Sequence, residues 1–566
     1  MKRTIFITLF VLCICGMLFA GGGGQAARRG TGNPGLLSDG THSLSIFLPD
    51  IGQITSSFEY DDNIFTQFAV RTTGINLEIT ASTSADAVQR RNILLSTGDY
   101  PEVLFYEGAG ITLPEMSFYA SEGIFIPLDP YDPLSFPNIR QIHEEYPGVR
   151  DISRGPDGMM YAIPEVADYF HTRRSNNQHL YHQPFMLRYT AQTGRGVPQT
   201  LDEFTTYLRW IRDNDANGNG NPNDEVPLAF ASGGLRVFID YFVKAFMPFV
   251  FTQHHFGLAR EGNRVIEQYR DPRFREALVH MAMMYNEGLI YPDSFVQPTQ
   301  SLQALTSTDP TVLGAVLGGG GNNFGTDYYY WARWLPVLRG PRGDQWTFDM
   351  GPWQPLRARV VVTDKCAEPK LAVAFVDWLM NFDVFMTGYL GPQGEAWEYA
   401  QPGALNLIGG PAMFNVLRSN GQQIHNTTWN QVFPMNRSFN NIYQEQARDV
   451  PNIIRFLETG DSALFAQMSQ NPSYNEVKNV IQGMARIPYE TPVDRMIPPL
   501  PAMSDASTRR IADIDAVLQD TLNQAMVEFI VGIRNINSDA AWNAFLADLE
   551  RVGSREKASI IERYLR

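Results

Sequence analysis

The loop at residues 215–225, called here the Asp215 loop, has residue types and spacing that could bind a metal ion. Side-chain oxygens recur at every second residue from its first Asp, glycines stand between them, and an Asp-Glu pair closes the loop. Hard cations such as Ca²⁺ take about six to eight oxygen ligands, which a tight loop can aim at one point. The sequence therefore predicts a structural Ca²⁺ site, and its candidate ligands are Asp215, Asn217, Asn219, Asn221, Asp224 and Glu225.

The spacing of the Asp215 loop resembles an EF-hand only in its first half. Gly220 lies where an EF-hand loop needs its sharp turn, but Val226 stands where such a loop has its bidentate Glu. The alternative is a polar turn without metal, because Asn and Gly favour turns on their own.

Aromatic residues in Gly- and Pro-rich segments form a second group of candidates. Flat aromatic faces match the C–H faces of sugar rings, and loops are where ligand-binding residues concentrate. The alternative for each ring is packing in the core, where most large aromatics lie. The candidate ligand-binding residues are Trp331, Trp353, Trp397, Tyr106 and Arg188.

Motifs for catalysis are scarce. The sequence has no Gly-x-Ser-x-Gly, no His-Glu-x-x-His, no phosphate-binding loop ending in Gly-Lys and no paired Cys motif. Adjacent carboxylates such as Glu144 and Glu145 could serve a glycosidase, but a chain with 60 acidic residues offers many such pairs. The net charge of −15 argues against a nucleic-acid partner, whose phosphates require clustered Lys and Arg.

The N-terminus carries the features of an exported protein. Lys2 and Arg3 precede an apolar run that ends at Ala20, which is typical of a signal peptide over residues 1–20. The Gly-rich residues 21–42 are typical of a flexible tether. We expect a periplasmic or cell-surface protein. A lipid anchor on Cys13 or Cys15 is the less favoured alternative, since their neighbours are not small.

The elements that must position these candidates follow an α/β pattern. Residues 43–48, 74–79 and 101–105 have strand composition, and residues 85–97 have the apolar spacing of a helix. Strand, helix and strand in this order predict a parallel sheet covered by helices. A further helix, residues 201–212, begins after the capping residue Thr200 and leads into the Asp215 loop.

Short motifs along the chain together resemble extracellular solute-binding proteins of ABC sugar importers, in the branch that includes the alginate-oligosaccharide-binding proteins. The loop of that branch is Asp-x-Asn-x-Asn-Gly-x-x-Asp-Glu, and this chain has one extra residue before its Asp-Glu pair. Either Asn223 replaces the first acid, or the loop bulges so that the Asp-Glu pair keeps its role. Arg188 begins a run that departs from the branch's Arg-Lys-Asp-Trp-Leu. The motifs that carry the resemblance lie at residues 96–103, 123–129, 157–164, 197–204, 338–343 and 529–553.

The resemblance implies an α/β, two-lobed periplasmic-binding-protein fold with a ligand cleft between the lobes and hinge crossovers. The implied first lobe comprises residues 43–165 and about 335–440, and the second comprises about 166–334 and 441–566. The implied function is to capture an oligosaccharide or other sugar and deliver it to ABC permease subunits in the membrane. The implied protein is a monomer and not an enzyme. The alternatives are a secreted glycosidase or lyase and a binding protein that serves a chemoreceptor.

Overall fold

The computed structural model describes most of the chain between residues 36 and 565. The residues described are 36–49, 62–82, 86–106, 110–146, 148–155, 157–166, 179–250, 257–317, 331–346, 356–406, 410–417, 429, 455, 493–498, 500 and 503–565. The predicted signal peptide, Trp353 and most of residues 418–492 lie outside them.

Strands and helices alternate through the first two thirds of the described chain, and helices dominate its C-terminal part. The strands are β1 (Ser43–Pro49), β2 (Asn76–Ser82), β3 (Val103–Phe105), β4 (Ala162–Val166), β5 (His179–His182), β6 (Val226–Ala229), β7 (Leu258–Glu261), β8 (Arg264–Glu267), β9 (Leu313–Leu317), β10 (Ala332–Trp334), β11 (Leu356–Val362), β12 (Trp397–Tyr399) and β13 (Phe414–Val416). The helices are α1 (Ile64–Thr73), α2 (Ala87–Thr97), α3 (Leu113–Ser121), α4 (Pro137–Glu145), α5 (Val149–Ser153), α6 (Gln183–Thr193), α7 (Leu201–Asp213), α8 (Leu235–Val243), α9 (Pro272–Asn286), α10 (Thr299–Thr306), α11 (Pro369–Leu379), α12 (Phe382–Leu390), α13 (Asp505–Ile530), α14 (Asp539–Arg551) and α15 (Ser554–Tyr564).

The first sheet has five strands in the order β2-β1-β3-β11-β4. Strand β1 pairs in parallel with β2 and β3, whereas β11 runs antiparallel to both β3 and β4. Alternate side chains of β1 enter two different cores, Ile46 and Leu48 on one face and Phe47 on the other. This confirms the predicted α/β architecture and its parallel βαβ start, since α1 and α2 connect the three parallel strands.

A β-bulge interrupts β11 in the middle of the first sheet. The pairing with β4 shifts register between Ala358 and Val360, which leaves Arg359 as the extra residue. Because of this shift, Ala358 and Val361 enter the same core although their odd spacing would place them on opposite faces of a regular strand.

The second sheet has four strands in the order β10-β5-β9-β6, with β6 and β9 parallel and β5 antiparallel to its neighbours. Its larger core contains residues of α7, α8, α9 and the C-terminal helices α13 and α14. Helix α13 buries Leu518, Leu522 and Phe529 in this core, whereas Ile533 is 75% exposed because the helix ends at Ile530.

The chain leaves the first sheet after β4 and returns to it with β11. Residues up to Trp346 stay with the second sheet, because Arg339 exchanges backbone hydrogen bonds with Gln199 and Leu201 and the Trp346 amide donates to the Lys244 carbonyl. The return to the first lobe therefore comes after residue 346, later than the predicted boundary near 335.

Residues at the end of the predicted tether are part of the fold. The amides of Leu37 and Ser38 both donate to the Thr73 carbonyl, at 2.8 and 2.9 Å. The prediction of a tether over residues 21–42 is therefore too long at its C-terminal end.

Within the described residues, no single helix combines the length and apolar character needed to cross a membrane. Helices α11 and α12 meet those criteria only as a pair, and the pair is bent by 72°.

Candidate functional site

The Asp215 loop connects two rigid elements of the second lobe. Helix α7 begins with a full capping box, in which Thr200 accepts from the Glu203 amide and the Glu203 side chain accepts in return. Strand β6 begins directly after Glu225. Ala216 is fully buried in the large core, so the start of the loop is anchored.

The loop is wound on its own side chains. The Asp215 carboxylate accepts the amides of Gly218, Asn219 and Gly220, at 2.7 to 3.0 Å. Further along, Asn217 accepts the amide of Asn219, and Asn219 that of Asn221. Such turns bring alternate side-chain oxygens to one side of a loop. The first half of the loop is therefore held in shape largely by hydrogen bonds among its own residues.

Three polar atoms in the loop are buried and have no hydrogen-bond partner: Asn217 Nδ2, Asp224 Oδ1 and Glu225 Oε2. Burial, together with the charge of Asp224, raises the pKa of Glu225, and hydrogen bonds from backbone amides act against this rise. Two unsatisfied carboxylate oxygens of like charge fit a cation, which would satisfy both. The described residues contain no group of three His, Cys, Asp or Glu arranged for a metal, so a cation here would also need amide and main-chain oxygens.

The structure distinguishes the two arrangements that the extra residue left open. Asn219 donates to Asp224 at 2.7 Å, and Glu225 accepts the Asn217 amide at 3.3 Å. Both acids therefore fold back onto the first half of the loop, and a turn at residues 222–223 absorbs the insertion.

Arg188 lies against this loop. It extends from α6, and its guanidinium donates to the Ala216 carbonyl at 2.9 Å. The position of a Cβ on Gly218 would be 2.2 Å from Arg188 Nη1. Arg188 thus packs over the Asp215 loop, and its role as a ligand-binding residue remains a prediction.

Tyr106 lies at the carboxyl end of β3, the edge of a sheet where α/β proteins bind ligands. Its ring is 1% exposed, its hydroxyl donates to Glu115 at 3.2 Å, and the Arg91 guanidinium lies 4.1 Å above the ring centre. Burial and the charge of Glu115 raise the pKa of Tyr106 well above its usual value. One face of the ring is therefore covered by Arg91.

The three tryptophans have different surroundings. Trp397 is fully buried and packs edge to face with Phe382 at 5.9 Å between ring centres, which is the core-packing alternative. Trp331 is partly exposed at the start of β10, and Trp353 lies outside the described residues. Tyr106, Arg188, Trp331 and Trp397, the four candidates within the described residues, therefore do not form one cluster.

One feature near the lobe crossing was not predicted from the sequence. Glu165 on β4 and Arg359 on β11 form an ion pair, with Arg359 Nε 3.3 Å from Glu165 Oε2 and side-chain exposures of 2% and 3% for Arg359 and Glu165. No local sequence signal could have linked them, because their contact depends on the pairing of two strands distant in sequence.

Comparison with known proteins gives a consistent set of relatives. No family model matches the sequence. The chain is 21% identical over 508 residues to a fructooligosaccharide ABC transporter substrate-binding protein, FusA, of Streptococcus pneumoniae, covering 89% of this chain and 87% of FusA.

Solved structures share the fold over nearly the whole chain. FusA in complex with kestose superposes with a TM-score of 0.67 at 20% identity, covering 92% of this chain and 98% of FusA. A human-milk-oligosaccharide-binding solute-binding protein of Bifidobacterium longum infantis superposes with a TM-score of 0.68 at 15% identity, covering 93% of this chain and 99% of that protein. The alginate-binding protein AlgQ2, solved without calcium ion, superposes with a TM-score of 0.59 at 15% identity, covering 94% of this chain and 100% of AlgQ2. A FusA structure is also described as an EF-hand mutant. The chain therefore has the two-lobed α/β fold of these binding proteins.

Proposed function

We infer that the chain belongs to the extracellular solute-binding proteins of ABC oligosaccharide transporters. The observation that carries this inference is the match to FusA over 89% of the chain, together with a fold shared over 92% of it with FusA bound to kestose. These relatives are described as substrate-binding proteins of transporters. The chain is therefore a binding protein and not an enzyme, and its partners are the permease subunits of its transporter.

The ligand is an oligosaccharide held between the two lobes. In sheets of this type, ligands bind beyond the carboxyl ends of the strands. In the first sheet that edge carries Tyr106, so we expect the Arg91–Tyr106–Glu115 cluster to lie beside the cleft. Trp331, which is partly exposed, is the candidate ring for stacking against a sugar.

Ligand-dependent melting tests this assignment. We expect the melting temperature to rise with one class among kestose, milk oligosaccharides and alginate oligosaccharides, and to stay constant with short peptides. Trp331→Ala should reduce the shift, whereas Trp210→Ala, on the Asp215-loop side of the second lobe, should leave the ligand-induced shift intact. Stabilisation by peptides alone would reject the oligosaccharide assignment, and shortened sugars after incubation would indicate an enzyme.

The Asp215 loop binds a structural Ca²⁺ in this proposal. The ion would be held by side-chain oxygens of Asp215, Asn217, Asn219, Asp224 and Glu225, with Asn221 as a further donor. When bound, Ca²⁺ supplies positive charge for the two buried acids and fixes the loop between α7 and β6. Support comes from the buried oxygens of Asp224 and Glu225 that lack partners.

Export is the remaining part of the proposal. The charged start and apolar run at residues 1–20 support secretion by a signal peptide, and a cell-surface or periplasmic location follows from the function. N-terminal sequencing of the secreted protein tests cleavage after Ala20, whereas a lipid-modified Cys at the N-terminus would favour the anchored alternative.

A further inference from the structure

The ion pair of Glu165 and Arg359 lies where the chain passes between the two lobes. Strand β4 is the last strand of the first sheet before the chain enters the second sheet, and β11 is the first strand after it returns. The last residue of β4, Val166, pairs with the first residue of β11, Leu356. Two of the connections between these lobes therefore start from a single pair of neighbouring strands.

The pair places two full charges inside the first lobe. The side chains are 2% and 3% exposed, and the two charged atoms are 3.3 Å apart without the alignment of a hydrogen bond. Removing Arg359 from such a pair is strongly unfavourable, because the Glu165 charge stays buried without compensation. The ion pair with Arg359 therefore holds the end of β4 to β11.

Arg359 is also the bulge residue of β11, and the bulge fixes the segment that follows β3. The Arg359 carbonyl accepts the Tyr106 amide and the Ala358 carbonyl accepts the Ile111 amide, both at 2.8 Å. Gly110 approaches so closely that a Cβ there would lie 2.3 Å from the Ala358 carbonyl oxygen. The bulge thus sets the position of Tyr106 and of the chain on the ligand side of β3.

We propose that Glu165 and Arg359 are a positioning pair, which locks the β11 bulge and thereby fixes the two lobe-crossing strands together with Tyr106, Gly110 and Ile111 for ligand binding. The pair touches no sugar. It acts on affinity by ordering, before the ligand arrives, groups that binding would otherwise have to order. This inference rests on the proposed binding function, so its primary test is made without any ligand.

Amide hydrogen exchange in the ligand-free protein measures the lock directly. In Glu165→Gln we expect the Tyr106 and Ile111 amides to exchange at least about tenfold faster than in the wild type. The control is Asp515→Asn, which breaks the pair of Asp515 with the fully buried Lys557 in the second lobe. That variant should lose stability while these two amides keep their wild-type exchange relative to the other strands of the first sheet.

A double variant, Glu165→Leu with Arg359→Met, separates positioning from stability and serves if Glu165→Gln does not fold. An apolar pair should restore the melting temperature, because it removes both buried charges. The Tyr106 and Ile111 amides should nevertheless keep their fast exchange, because the ion pair no longer fixes residue 359 in the bulge. If they return to wild-type exchange together with the melting temperature, or if Glu165→Gln leaves them unchanged, the pair has only a structural role and the proposal fails.

Titration with kestose then tests the consequence for binding. We expect the double variant to bind about tenfold more weakly than the wild type, within the range of couplings between sites. Equal affinity of the two proteins would overturn the link to ligand binding. Absence of kestose binding in the wild type would instead count against this choice of sugar, while the exchange results still decide the positioning role.

Discussion

The Asp215 loop and the Glu165–Arg359 pair are both charged features of one molecule, but they are built in opposite ways. All candidate ligands of the loop lie within one short segment, and the hydrogen bonds among them join residues two to eight positions apart. Glu165 and Arg359 come from separate strands and meet only through the register of β4 with β11. The loop is partly exposed, whereas the pair is buried.

This difference determines how each region should respond to substitution. A locally wound loop can lose one contact and relax, because its neighbours are solvent and flexible side chains. A buried pair between strands has no such freedom, since removal of Arg359 leaves the Glu165 carboxylate in the core without water around it.

The largest effect is expected at the buried pair. Arg359→Met leaves Glu165 buried without compensation, and we expect the first lobe to lose about 3–5 kcal/mol of unfolding free energy. Urea unfolding followed by a probe in the first lobe measures this loss. The Glu165→Leu/Arg359→Met variant is the matched control and should recover most of it. Equal losses in the single and double variants would show that side-chain volume, not charge, is responsible.

Calcium binding should give the next largest effect, in the loop. At a Ca²⁺ concentration about a hundredfold above Kd, binding stabilises the folded state by about 2.7 kcal/mol. Asp215→Ala should abolish the Ca²⁺-dependent rise in melting temperature. Asp213→Asn is the control, because Asp213 pairs with Arg212 on α7 and is not one of the candidate ligands. A wild-type melting temperature that is the same with Ca²⁺ and with chelator would leave only a polar turn.

The same contrast explains how far the sequence could predict the structure. Local signals were sufficient for α7, whose capping residue Thr200 begins the helix as expected, and for the βαβ start of the first sheet. They also located the Asp215 loop. The bulge at Arg359 and its contact with Glu165 depend on residues far away in sequence, so composition and spacing could not reveal them.

Two glycines allow a direct comparison of the regions. Gly110 and Gly218 both have positive φ, 82° and 77°, which costs any other L-residue about 1–2 kcal/mol. A Cβ at Gly110 would meet the backbone of Ala358, whereas at Gly218 it would meet the end of the Arg188 side chain. We therefore expect Gly110→Ala to cost about 1–3 kcal/mol more than Gly218→Ala in unfolding free energy. Equal losses of unfolding free energy in the two variants would contradict the view that the Asp215 loop can relax around a substitution while the backbone beside Ala358 cannot.

The smallest effect should come from Glu225, and its sign depends on the metal. Because the folded-state pKa of Glu225 is raised, its contribution to stability is complete below its unfolded pKa near 4.5 and is lost as pH rises through the raised folded value. With chelator at pH 7, Glu225→Gln should therefore raise the melting temperature slightly, by about 1 °C, and the gain should vanish in acid. With Ca²⁺ the same substitution should lower it, because a ligand is lost. Scanning calorimetry of the variant in both buffers measures the two shifts, and a shift of the same sign in both would remove Glu225 from the cation site.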